Sequence, residues 1–169
     1  MTKTLIFFRH GKSDWEASFD RDRDRPLAER GISAAKAMGK LLAAMDKVPD
    51  FALTSPALRA KTTLELAIKA GGWACPTAIA EDLYEAEVDQ VLEVIQQQSD
   101  DYASLMLVGH EPTWSATIAA LMGGGTLRVP TAALAALEFE VSTWSQVAVG
   151  GGTLLWLLPA KLFTQAKLL

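Results

Sequence analysis

The feature that most constrains the fold is an alternation along the chain. Short apolar runs read as buried strands: TLIFF at 4–8, FALTS at 51–55, SLMLVGH at 104–110 and GTLLWLLP at 152–159. Between them lie longer segments whose apolar residues recur at helical spacing. One runs from a Pro26–Gly31 lead-in through ISAAKAMGKLLAAM, with Ile32, Ala35, Met38, Leu41 and Leu42 on one face. A second follows Ser55 as cap and Pro56 as first helical residue, with Leu58, Thr62, Leu66 and Ile68 partly inward. A third spans EDLYEAEVDQVLEVIQQQ with Val88, Val91, Leu92 and Ile95, and a fourth begins at Pro112. Residues 76–80 form a shorter strand, 133–141 a strand near a sheet edge, and KLFTQAKLL a short terminal helix. Strands alternating with helices predict an α/β sandwich around a largely parallel sheet.

At 169 residues, the expectation is one domain spanning 1–169. Half the residues are hydrophobic and the formal charge is −4, so neither disorder nor nucleic-acid binding through a broadly basic surface is expected. The single cysteine, Cys75, allows no internal disulfide. No apolar run approaches the roughly 18 residues of a membrane span, and MTKTLIFF lacks the long apolar core of a secretory signal. The expected location is the cytoplasm, with no membrane partner. Oligomeric state is not readable from these features.

Parallel sheets place ligands beyond the carboxyl ends of their strands. Three segments reach that edge: RHG at 9–11, SPALRAKT at 55–62 and VGHEP at 108–112. Together they bring Arg9, His10, Arg59 and His110 toward one site. Arginines bind phosphoryl oxygens through charge-assisted hydrogen bonds and oppose a metal cation, so no metal is expected there. Gly11 and Gly109 suit tight turns beside a ligand. Trp15 and Phe19 could frame the pocket, Trp114 and Trp144 read as packing residues, and the Asp20–Arg25 run reads as a solvent-facing loop.

LIFFRHGKS at 5–13, RPLAERG at 25–31, TSPALRAKTT at 54–63 and LVGHEP at 107–112 together resemble the histidine phosphatase, or phosphoglycerate-mutase-like, superfamily. The short chain, RHGKSDW and the middle motifs are most similar to its SixA-type phosphohistidine phosphatase branch. The resemblance implies a three-layer α/β/α sandwich with a mostly parallel central sheet. It implies His10 as nucleophile, with Arg9, Arg59 and His110 on the phosphoryl oxygens and Gly11, Lys12 and Ser13 around the phosphate pocket. DLYEAE at 82–87 resembles the family's acidic segment. Glu85 is the first candidate for proton transfer, with Glu81, Asp82 and Asp14 as alternatives. No cofactor is implied. The expected substrate is a phosphorylated protein, with a small phosphate ester as the alternative; a noncatalytic phosphoprotein-binding module is a third reading.

Overall fold

The central apolar run sits where its composition demands, in the middle of a sheet. In the computed structural model, which describes residues 1–164, β1 (Lys3–Arg9) lies between β4 (Ser104–Gly109) and β5 (Leu134–Phe139). With β2 (Phe51–Thr54), β3 (Thr77–Ile79) and β6 (Gly152–Leu158), the sheet order is β3-β2-β4-β1-β5-β6. Strands β1 to β4 pair in parallel. β5 runs antiparallel to both of its neighbours, so it alone opposes the common direction.

Successive strand side chains point to opposite faces, and both faces are apolar, so helices must cover both. Leu5, Phe7, Leu105 and Leu107 pack with residues of α3 (Val88–Gln96) and α4 (Thr113–Met122), among them Val91, Ile95, Trp114 and Ile118. Ile6, Phe8, Met106 and Val108 pack on the other side with α1 (Glu29–Ala44) and α2 (Leu58–Gly71), through Met38, Leu42, Ala60 and Leu64. The result is a three-layer α/β/α sandwich with a mostly parallel sheet. Trp114 and Trp144 are both fully buried, as packing residues.

Several boundaries differ from the sequence reading. α2 starts at Leu58, after Ala57 as cap, and not at Pro56. The Ser55 hydroxyl instead accepts a bond from Ala57 N and pairs with a site histidine. The inward face of α2 is Arg59, Ala60, Thr63, Leu64 and Ala67, while Leu58 is exposed. A polar Arg and Thr face inward because the helix docks on the strand ends, so apolar periodicity alone picks the wrong stripe. The acidic EDLY segment is a 3-10 turn at Glu81–Leu83, and α3 begins only at Val88. α4 begins one residue after Pro112. The 133–141 strand lies near an edge as expected: β5 is next to the edge strand β6, whose first residues alternate between half-buried and exposed. A short helix, α5 (Lys161–Thr164), follows; the remainder of the expected terminal helix lies outside the described residues.

Among the described residues no helix is long and apolar enough to cross a membrane.

Candidate active site

Strand register assembles the site. The parallel pairing sets Arg9 opposite Gly109, so the chain leaves β1 and β4 side by side. His10 and His110 then follow directly, with ring centroids 5.2 Å apart. β2 ends next to them: Ser55 N donates to the Val108 carbonyl, and the His110 Nε2 and Ser55 Oγ lie 2.7 Å apart. From the first turn of α2, Arg59 reaches the same place.

The loop after β1 packs closely on the start of α1. A Cβ at Gly11 would stand 2.7 Å from the Gly31 carbonyl oxygen, and one at Gly31 only 2.2 Å from that of Lys12. Both contacts are with backbone, so neither position accepts a side chain without displacing the loop. Gly109 is closed off differently, since a Cβ there would stand 2.6 Å from the indole ring of Trp114.

His10 is only 7 % exposed. Its Nδ1 lies 2.7 Å from the Gly11 carbonyl oxygen. A carbonyl only accepts, so Nδ1 carries the proton and Nε2 keeps a free lone pair. Burial pushes the His10 pKa down to about 3; the Gly11 carbonyl opposes this, and His110, Arg59 and Arg9 add to it. Burial and the Arg59 charge likewise lower His110 to about 4. Both rings are therefore neutral at neutral pH. The Gly11 peptide is itself anchored, because its N–H donates to Thr63 Oγ1 at 3.0 Å, and that hydroxyl donates to the Arg59 carbonyl at 2.7 Å.

The arginines are held at one edge and open at another. Arg9 Nη1 donates to the Val129 carbonyl at 3.0 Å. Burial lowers the Arg9 pKa, and Glu111 partly offsets that. Arg59, 5 % exposed, donates from Nη1 to the Asp22 carbonyl at 2.8 Å and from Nη2 to the Asp22 carboxylate at 3.0 Å. That occupies the outer edge of the guanidinium. Among the described residues, the buried side-chain polar atoms without a partner are Arg9 Nε, Arg59 Nε, His110 Nδ1 and Thr117 Oγ1. Three of these belong to the residues gathered around His10. Unpaired buried polar atoms are costly, and an oxyanion is the group that would satisfy such a set.

Sequence reasoning missed the ring of support. The Asp20–Arg25 run is not simply a solvent-facing loop: Arg25 is 5 % exposed, donates to Ser13 Oγ at 3.0 Å, pairs with Asp22 and lies 3.5 Å over the Trp15 ring. Tyr84 donates to Asp22 at 2.9 Å and meets His110 edge-on. Desolvation would raise the Asp22 pKa, but the Tyr84 bond and the Arg59 charge outweigh it and the net shift is downward. The RPL context of Arg25 was the available signal. Asp22 and Tyr84 carried none, since their roles arise from contacts 37 and 62 residues away.

The remaining named residues fall in different places. Glu85 lines a cavity of about 330 Å³ with Arg59, His110, Tyr84, Glu87 and Glu111, and is exposed. Its backbone has φ 53°, a left-handed conformation that is uncommon for glutamate. Glu81 is bonded to Arg23, and Asp82 lines a separate groove with Gln90 and Glu93. Asp14 accepts from Glu16 N, within its own turn. Ser13 is taken up by Arg25, and Lys12 lines another groove with Arg30 and Lys161. Phe19 lies 6.0 Å from the Arg25 guanidinium, and Trp15 is 65 % exposed. Among the described residues, no group of three or more His, Cys, Asp or Glu side chains is arranged to hold a metal ion.

The family model for the histidine phosphatase superfamily (branch 1) matches residues 5–91. The chain belongs to the histidine phosphatase superfamily. Within this superfamily it falls with the SixA-like branch. A Mycobacterium tuberculosis protein of uncharacterised function is 36 % identical over 152 residues, covering 84 % of this chain and 92 % of the relative. The structure of the protein histidine phosphatase SixA complexed with tungstate superposes with a TM-score of 0.80 at 25 % identity, over 93 % of this chain and 97 % of that one. A Nakamurella multipartitia protein, provisionally called a SixA phosphohistidine phosphatase, gives 0.80 at 28 % identity over 93 % and 95 %. A 2,3-bisphosphoglycerate-dependent phosphoglycerate mutase of Rhizobium meliloti is 45 % identical over a shorter stretch of 74 residues, 43 % of this chain and 35 % of the mutase. Superfamily membership thus assigns the chain to phosphatase-type chemistry.

Proposed function

We propose that this protein is a metal-independent phosphohistidine phosphatase that works through a covalent phosphohistidine on His10. The observation that carries the reading is the state of His10 itself. Its proton is held on Nδ1 by the Gly11 carbonyl, so Nε2 is unprotonated among unpaired polar atoms of Arg9, Arg59 and His110. The two guanidiniums favour an oxyanion over a metal cation at this spot. The tungstate complex of the related SixA protein is consistent, since tungstate is a tetrahedral oxyanion like phosphate.

In the proposed reaction, the His10 Nε2 lone pair attacks phosphorus in line with the leaving group. A new N–P bond forms as the bond from phosphorus to the substrate's imidazole nitrogen breaks. The departing imidazole takes a proton there, delivered from solvent past the Glu85 carboxylate at the cavity wall. Water then attacks phosphorus, the His10 N–P bond breaks, and inorganic phosphate leaves. Arg9, Arg59 and His110 act on the equatorial oxygens, where negative charge is best stabilised by donors that are already in place.

The test is a comparison of wild type with His10→Ala on a panel of protein phosphohistidines and small phosphate esters, with and without chelator. Wild type is expected to release phosphate from phosphohistidine, chelator present or not, and to trap acid-labile label on His10. His10→Ala is expected to do neither. Turnover of esters alone would overturn the substrate assignment, and label on any other residue would overturn the nucleophile.

A further inference from the structure

The charges at the mouth of the cavity are opposite to those at its floor. At the floor, Arg59 is 5 % exposed and its Nε has no partner, which points to an oxyanion there. The walls carry Asp22, Glu85, Glu87 and Glu111, and among the described residues no lysine lines them. Two of these carboxylates are already engaged: Asp22 pairs with Arg25 and Arg59, and Glu111 accepts from Ser115. Glu85 and Glu87 are exposed and make no ion pair among the described residues. The exposed cations of the neighbouring loop do not offset them, since Arg21 is paired with Asp24 and Arg23 with Glu81. A segment that carries the phosphoryl group therefore passes two carboxylates without an ion-pair partner among the described residues, Glu85 and the α3 cap Glu87, on its way to the Arg59 cation.

Resting on the phosphohistidine reading above, we propose that the cavity mouth selects phosphorylated protein segments with lysine or arginine beside the phosphorylated residue, through Glu85 and Glu87. A segment with acidic neighbours, or a small phosphate bearing its own carboxylate, brings like charge against the same walls and is disfavoured. Such rim charges act mainly on encounter and on partner choice. They are solvent-exposed, so the selection weakens as salt rises.

The experiment uses two phosphohistidine peptides that differ only in flanking residues, one with lysines and one with glutamates, plus a third with uncharged flanks. The basic peptide is expected to exceed the acidic one about five- to tenfold in kcat/KM at low ionic strength, with the gap closing at high salt. Glu87→Gln keeps an acceptor for the first turn of α3, where Glu87 receives the Gln90 N–H. It should reduce the preference by about two- to threefold and leave the uncharged peptide's turnover unchanged. Binding of the same sequences with a phosphonotriazole in place of phosphohistidine reads selection without turnover. Absence of hydrolysis from every peptide would count against the phosphohistidine reading, while the binding series would still decide the selection. Equal or reversed preference in that series, or a preference insensitive to salt and to Glu87→Gln, would overturn the proposal.

Discussion

Thr63→Val separates the site's scaffold from its chemistry. Thr63 is fully buried, and its hydroxyl accepts from Gly11 N while donating to the Arg59 carbonyl. Valine keeps the shape and removes the oxygen. The Gly11 N–H then loses its partner inside the protein, which costs about 1–3 kcal/mol. The Arg59 carbonyl loses one donor at less cost, so about 2 kcal/mol is a fair total. For a domain of this size each kcal/mol moves the melting point by about 2–4 °C, so Tm should drop by about 4–8 °C. The Gly11 carbonyl holds the His10 Nδ1 proton. Loosening it should slow phosphorylation of His10 about tenfold, equivalent to about 1.4 kcal/mol of barrier. Calorimetry or circular dichroism reads the first effect, and rapid-quench measurement of the phosphoenzyme reads the second. Thr63→Ser retains the hydroxyl and should recover most of the rate. If the valine variant melts earlier but phosphorylates at the wild-type rate, Gly11 does not position the nucleophile. If it changes neither, the hydrogen-bond argument fails altogether.

Two further outcomes follow from burial and packing. The folded His10 and His110 have pKa values of about 3 and 4, below the ordinary 6.5, so between these limits the unfolded chain binds protons that the folded chain does not. Stability contributed by keeping the rings neutral is full above pH 6.5 and falls with acidification, by up to about 1.4 kcal/mol per pH unit for each ring, until the folded pKa is reached. His10→Gln should therefore flatten the acid limb of a denaturant-midpoint series from pH 7 to pH 4; identical limbs would show that His10 is not buried in its neutral form. At Gly39 a Cβ would stand 2.2 Å from the Ala67 carbonyl oxygen on α2, so Gly39→Ala must push α1 and α2 apart. Overpacking against backbone should outweigh the roughly 1 kcal/mol gain in helix propensity, for a net loss of about 2 kcal/mol by denaturant unfolding; a stabilised variant would refute the close helix contact.

The strands were legible because their signal is local. Runs such as TLIFF and SLMLV have the length and β-rich composition of doubly covered strands, and the structure buries both faces of β1 and β4. Order across the sheet was less legible. The 133–141 strand does lie next to the sheet edge, as β5 beside β6, but its antiparallel pairing with β1 had no local signal because that partner is over a hundred residues away. The inward face of α2 was misread where polar side chains turn inward: Arg59 and Thr63 break its apolar stripe because that helix serves the site as well as the core.

For the site, sequence alone determined which residue types were available: two histidines in the whole chain, each beside a glycine at a strand end, with Arg9 next to one of them and Arg59 in the segment that follows another strand. Chemistry follows from such types, since guanidiniums bind oxyanions and imidazoles accept phosphoryl groups. Only the tertiary structure decided the proton position on His10, the unpaired atoms around it, and the enlistment of Asp22, Arg25 and Tyr84 as supports. The reason is physical. A tautomer, an orphaned donor or a depressed pKa belongs to distances and desolvation between distant segments, and those exist only once the sheet has set its register.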